Sequence, residues 1–93
     1  MGVRYTITLH PLVVAEDIPR LDASWRVIVR DAIREKLCTH PEVFGKPLRQ
    51  QLKGCRTLRV GDYRVVYWID RKIIRILAII HRSAGYTEIE KRL

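Results

Sequence analysis

The sequence predicts an α+β fold: a small, twisted, mostly antiparallel sheet, elements in the order β-α-α-β-β-β, with the two N-terminal helices packed on one face. Three patterns carry that expectation. Apolar residues of the N-terminal half recur at helical spacing, those from Leu52 onward alternate with period two, and Gly61-Asp62 separates two alternating runs as a hairpin turn does. Ninety-three residues suffice for one domain, 1–93, with room for a single core.

Tyr5-Thr6-Ile7-Thr8-Leu9-His10 is rich in β-branched residues and reads as a first strand closed by Pro11. From Leu12 to Ile18 the apolar residues fall at helical spacing. Proline inside a helix costs about 3 kcal/mol, so Pro19 should stop this short helix near Ile18. Asp22 or Ser24 can cap the second helix, whose buried stripe is expected to be Trp25, Ile28, Val29, Ala32, Ile33 and Leu37. The opposite face, with Arg26, Arg30, Asp31, Arg34 and Glu35, reads as solvated. Its pairs Asp22–Arg26 and Asp31–Arg34 are worth a few tenths of a kcal/mol. Pro41 disfavours helical dihedrals at His40, which ends the helix at about Thr39, and a loop runs through Phe44-Gly45-Lys46-Pro47.

In the next strand Thr57 and Arg59 point to one side, Leu58 and Val60 to the other. Gly61 accepts the positive φ that a type I′ or II′ turn demands. On the returning strand Arg64, Val66 and Trp68 share one face while Tyr63, Val65, Tyr67 and Ile69 share the other. Asp70, Arg71 and Lys72 make the next turn. Ile73 to Ile80 is almost continuously apolar and reads as the central strand, covered on both faces. The helices should bury Trp25, Ile28, Ile33, Val65 and Ile79 together, leaving the other face partly open around Arg59 and Arg64.

Charge is divided unevenly. Residues 1–45 carry six basic and six acidic side chains, whereas residues 46–93 carry twelve basic and four acidic ones, so the whole formal charge of +8 lies in the second half. Such asymmetry points to a polyanionic partner, nucleic acid first and an acidic protein second. Cys38 and Cys55 are too few for a disulfide scaffold, and with no signal-peptide pattern ahead of the first strand a reducing cytoplasm is expected. The longest apolar runs fall well short of the ~20 residues of a membrane helix. No Cys–His spacing suggests zinc and no glycine-rich loop suggests a nucleotide, so no metal or cofactor is expected.

Several segments, taken in order, resemble one family. They are Glu16-Asp17-Ile18-Pro19 with Leu21, Phe44-Gly45-Lys46-Pro47-Leu48-Arg49, Leu52-Lys53-Gly54, Leu58 through Tyr67, and His81-Arg82 with Tyr86. Together they are similar to the RelE/ParE superfamily of toxins from bacterial and archaeal toxin–antitoxin systems, over nearly the whole chain. The resemblance implies a RelE-like fold and a metal-independent endoribonuclease, an mRNA interferase that cuts message in the ribosomal A site. The partners it implies are a cognate antitoxin that holds the toxin inactive, mRNA and the ribosome with its 16S rRNA, and operator DNA only through the antitoxin; no membrane is involved.

Residue by residue, the resemblance makes Arg64 the phosphate-binding arginine after the hairpin turn, Arg82 the arginine at the end of the last strand, and Tyr86 the tyrosine beyond it. The family commonly places two basic residues at alternate positions of the strand before the turn. Here Cys55 and Thr57 stand in those places, with Arg59 next along the same face and Arg56 pointing the other way; a register shift near Gly54 would bring Arg56 or Lys53 into the site.

Metal-free RNA cleavage proceeds by attack of the 2′-hydroxyl on the adjacent phosphate, which requires a proton acceptor, a stabiliser of added negative charge and a proton donor. Arg64, Arg82, Tyr86 and Arg59 are the expected catalytic set, the arginines because their planar fork of donors meets phosphate oxygens in two places. Lys46, Arg49, Lys53 and Arg56 are expected to bind RNA through its phosphates. His81 is an alternative acid or base, although alternation puts it on the face opposite Arg82. A basic groove with an apolar rim also suits a short, acidic, partly helical partner that folds on binding. Two further readings stay open: a ParE-like protein that poisons DNA gyrase through protein contacts, and a catalytically weakened toxin that only binds antitoxin and RNA.

Overall fold

The computed structural model describes residues 4–93. Its sheet has the order β1-β5-β4-β3-β2, where β1 is Thr6–Leu9, β2 Lys46–Pro47, β3 Cys55–Val60, β4 Tyr63–Asp70 and β5 Ile73–His81. Strands β3, β4 and β5 form the expected antiparallel meander, and β1 adds to β5 in parallel, Thr6 opposite Ile73. The middle position therefore falls to β4, with β5 flanked by β1 and β4. The two-residue β2 was read as loop; it pairs with β3, Lys46 opposite Thr57, and is too short to show alternation.

Two helical stretches cross one face of the sheet. The first runs through a π-helical turn, Val13–Asp17, into Ile18–Arg20, and so ends at Arg20 rather than at Ile18. The reason is positional. After the π turn Pro19 sits in the first turn of a new helical register, where its missing N–H is not needed. The second helix, α2, spans Ala23–Ala32 and continues through a π-helical turn, Ile33–Leu37. Asp22 is its cap, accepting the Trp25 N–H at 3.0 Å. Val29, Ile33 and Leu37 face the sheet, while Ile28 is 47% exposed and leaves the predicted buried stripe.

Arg26 is exposed, as expected of that face, but its side chain does not pair with Asp22. Its Nε donates to the carbonyls of Leu21 at 2.9 Å and Ile18 at 3.1 Å, satisfying the end of the preceding helix and tying the two helices together. Asp31 likewise pairs with its neighbour Arg30, at 3.1 Å, instead of Arg34.

The hairpin tip locks onto α2. Gly61 has φ +59° and Asp62 does not share the positive region, which selects a type II′ turn. A side chain at Gly61 would collide with the Trp25 ring. Trp25 in turn meets Tyr63 edge-on at 5.0 Å, and Tyr63 meets His81 at 5.4 Å.

Leu58, Val60, Val65, Tyr67, Ile74, Ile76 and Ile79 pack with Val29, Ile33 and Leu37 on the helix side. The other face, expected to stay partly open, carries a second apolar cluster of Leu52, Cys55, Val66, Leu77, Ala78 and Ile89. A register shift at Val66/Tyr67 makes this possible, because the extra residue in β5 sends both Leu77 and Ala78 to that face. The closing element is a short C-terminal helix, α3, Thr87–Glu90, whose Ile89 is 1% exposed.

One buried ion pair joins the two ends of the described chain. Arg92 donates to both carboxylate oxygens of Asp17, at 2.7 and 3.0 Å, and to the Leu77 carbonyl at 2.9 Å; Asp17 also accepts the Ile79 N–H at 2.9 Å. β1 stops opposite Ile76, so Leu77 and Ile79 would otherwise present bare backbone at the sheet edge. Removing one partner strands a buried charge. Arg92→Ala is expected to cost about 3 to 5 kcal/mol in denaturant unfolding, more than the double change Asp17→Leu/Arg92→Met, which leaves no charge behind; equal losses in the two variants would contradict this account of the pair.

Candidate active site

The register of the hairpin sets Arg59 directly opposite Arg64, and Thr57 opposite Val66. Arg59, Arg64 and Thr57 thus lie on the face away from the helices, beside the second apolar cluster. Like charges directly opposed across two strands are destabilising, so folding alone gains nothing from this pair. Arg82 completes the group. Its backbone N–H donates to the Asp62 carbonyl at 2.7 Å, which holds the end of β5 against the turn, and Arg59, Gly61, Tyr63, Arg64 and Arg82 line one small cavity of about 130 Å³.

Tyr86 belongs to the same site. Its hydroxyl accepts from Arg64 Nη1 at 3.3 Å, and the Arg64 guanidinium carbon lies 5.8 Å from the centre of its ring. The ring packs against the Leu52/Ile89 cluster, so a residue 22 positions beyond Arg64 meets it through α3. Three guanidinium groups and a phenol converge here against one acidic neighbour. That neighbour is Asp62, whose carboxylate is 3.8 Å from Arg82 Nε with both side chains more than half exposed, a pairing of little strength.

Asp62 was not among the residues singled out from the sequence. It was read only as part of a turn, and its two roles, as carbonyl acceptor for Arg82 and as its counter-charge, depend on β5 returning beside the hairpin. Tyr63 lines the cavity for the same reason.

Not every candidate joins this group. His81 points to the helix side, where its ring contacts Tyr63 and its Nδ1 lies 2.7 Å from Ser83 Oγ. Arg56, expected to bind RNA, lies apart from the arginine cluster. Its Nη2 donates to the carbonyls of Glu42 at 2.7 Å and Gly45 at 2.6 Å, in the segment that leads into β2 and on the face opposite Arg59, while its Nε is buried without a partner. The same segment, which opens with a short helix at Pro41–Phe44, accepts a hydrogen bond from the buried Tyr67 hydroxyl at the Pro41 carbonyl. Burial pushes the Tyr67 phenol up from its usual value, with Arg56 working against that shift.

No register shift brings Lys53 in. At about 3.3 Å per residue, Cys55 is already some 13 Å from Arg59 along β3, and Lys53 precedes it. It lies instead in a separate groove of about 800 Å³ with Gln51, Trp68 and Arg75. Lys46 and Arg49 are exposed on and just after the edge strand β2. Cys55 is fully buried and Thr57 Oγ1 is buried without a partner, so the two alternate positions before Arg59 present no cation. Burial raises the Cys55 thiol above its ordinary value. Among the described residues, no group of three or more His, Cys, Asp or Glu side chains converges, and no helix is long and apolar enough to cross a membrane.

Comparison with known proteins gives a consistent result. A family model described as the ParE toxin of type II toxin-antitoxin system, parDE, matches residues 13–86. Toxin RelE of Mycobacterium tuberculosis is 39% identical over 74 residues, spanning 77% of this chain and 76% of its own. Toxin RelG of the same organism is 33% identical over 86 residues, 90% of this chain and 93% of its own. Among solved structures, the toxin-antitoxin complex RelBE2 from M. tuberculosis contains a chain that superposes with a TM-score of 0.78 at 31% identity, covering 88% of this chain and 95% of that one.

Two outcomes follow from the placements above. Arg56→Ala should lose at least about 2 kcal/mol of stability, through its charged hydrogen bonds, while the folded fraction keeps its activity; a normal unfolding midpoint with lost activity would return Arg56 to the site. In the native protein Cys55 should resist alkylation and react only after denaturation, as mass spectrometry of the labelled peptides would record.

Proposed function

The chain belongs to the RelE/ParE superfamily of toxins from type II toxin–antitoxin systems, and from that premise we propose that it is a ribosome-dependent endoribonuclease cutting mRNA in the A site. The observation that carries this reading is the convergence of Arg59, Arg64 and Arg82 on one cavity, with the Tyr86 hydroxyl hydrogen-bonded to Arg64. An opposed arginine pair that folding disfavours is relieved when an anion lies between the two groups.

The scissile phosphate sits over that cavity. Attack by the 2′-hydroxyl gives a cyclic phosphate and a free 5′-hydroxyl, and the extra negative charge of the transition state falls on oxygens held by Arg64 and Arg82. Arginine stays protonated, so it serves charge rather than proton transfer. Tyr86 donates a proton to the departing 5′-oxygen while water takes the 2′-proton, and its ring also offers a stacking surface to an unstacked base. The absence of cations at Cys55 and Thr57 concentrates the phosphate contacts on the three arginines. Lys46 and Arg49 hold more distant phosphates of message or ribosomal RNA.

The partner of the resting toxin is an acidic antitoxin. A cleft of about 530 Å³ between the helices and the β1 edge is lined by Ile7, Leu9, Leu21, Val27 and Ile33, with Arg26, Arg30 and Arg34 at its side. Apolar residues on an acidic helix would fill it, in the manner of a segment that folds on binding. A gyrase poison is the second reading, favoured by the ParE designation of the matching family model; it gives the arginine–tyrosine cluster no task.

Purified protein added to programmed ribosomes, with breaks mapped by primer extension, separates these readings. Codon-phased cuts are expected, reduced roughly 100-fold or more in Arg64→Ala and in Arg82→Ala with folding preserved, as loss of a transition-state donor would produce. Intact message beside stalled gyrase would favour the second reading, and wild-type cleavage in either variant would remove that arginine from the mechanism.

A further inference from the structure

The Asp17–Arg92 pair does not line the arginine cavity, but α3 joins it to Tyr86. Helix α3 is four residues long, Thr87–Glu90, flanked by Tyr86 at its start and Arg92 two residues past its end. Helical turns bind this stretch into one unit: Ile89 N–H donates to the Tyr86 carbonyl at 3.0 Å and Arg92 N–H to the Ile89 carbonyl at 2.9 Å. A helix this short has no stability of its own, since isolated helices below about 12 to 15 residues are marginal in water. Its place is therefore dictated by tertiary contacts at Tyr86, Ile89 and Arg92.

Those contacts differ in precision. Ile89 fills an apolar site and tolerates sliding, because dispersion and burial are non-directional. The Arg92 fork does not. It is bound at two points to Asp17 and at a third to the Leu77 carbonyl, with the Arg92 side chain 7% and the Asp17 side chain 2% exposed. Asp17 is itself fixed by the Ile79 N–H, in the same strand that ends beside Arg82. The frame β5–Asp17–Arg92–α3–Tyr86 thus runs from the strand that ends just before Arg82 back to the phenol that meets Arg64.

We propose that Asp17 and Arg92 are positioning residues for catalysis: their buried pair sets the angle and depth of α3 and so holds the Tyr86 hydroxyl at the arginine cavity. This rests on the reading of Tyr86 as a participant in cleavage. Shifts on the order of 1 Å at a reacting group cost about 100-fold in rate, so a loosened latch lowers turnover without weakening RNA binding.

The test is a double-mutant comparison on programmed ribosomes, with the folded fraction of every variant checked by circular dichroism at the assay temperature. The variant Asp17→Asn/Arg92→Gln removes both charges together and leaves none unpaired; should it not fold, Arg92→Lys, which keeps the cation but loses the fork, is compared in the same way. Expected is a fall of about tenfold or more in kcat, with KM for ribosomes within about twofold, and no further fall when the change is made in a Tyr86→Ala background. Losses that multiply with Tyr86→Ala would overturn the latch while leaving the nuclease reading intact, as would wild-type kcat in the latch variant. Wild-type cleavage by Tyr86→Ala itself would remove the tyrosine from the reaction, and the proposal with it.

Discussion

Arg59 and Arg64 oppose each other only because Gly61 turns the chain in two residues, and the chemistry of the molecule depends on that register. A slip of one residue would carry both arginines to the helix face and bring Leu58 and Val65 out to solvent, a change the apolar cluster under the helices forbids. The turn is reinforced from outside the sheet. Trp25 lies against Gly61 so closely that no side chain fits there, which couples the pose of α2 to the geometry of the hairpin. The site is thus held by an aromatic contact on the opposite side of the sheet from the charges it displays.

The two faces of the sheet divide the labour. Under the helices, Leu58, Val65, Tyr67, Ile76 and Ile79 make a continuous apolar layer, and the polar groups that enter it do so as fasteners: Tyr67 and Arg56 hold the carbonyls of Pro41, Glu42 and Gly45. On the other face a smaller cluster supports α3, and the cationic cavity opens beside it. Placing the arginines next to, not within, that cluster lets them keep water until an anion arrives, which avoids the large penalty of burying unpaired charge. Arg92 is taken inside, and there it meets a carboxylate and a backbone carbonyl.

Membership of a toxin superfamily gives the cavity its context, and Cys55 and Thr57 hold the two alternate positions of β3 before Arg59. The structure puts both residues on the face of Arg59, with Cys55 sealed into the apolar cluster. A thiol with a raised pKa and a small hydroxyl supply no positive charge, so the electrostatics of the site narrow to three arginines near the turn.

Periodicity and turn chemistry determined the antiparallel meander and the side of the hairpin on which Arg59, Arg64 and Trp68 lie, and narrowed the helix cap to Asp22 or Ser24, because each is a local property of the chain. The sequence motifs also singled out Arg64, Arg82 and Tyr86. What periodicity does not contain is long-range geometry. The parallel docking of β1, the bulge that sends Leu77 and Ala78 to one face, the withdrawal of Arg56 onto loop carbonyls, and the union of Asp17 with Arg92 across 75 residues were decided by tertiary packing. Each satisfies a backbone donor or acceptor, or fills an apolar gap, that exists only once distant strands have met. No local pattern of side chains can record a requirement that arises at that point.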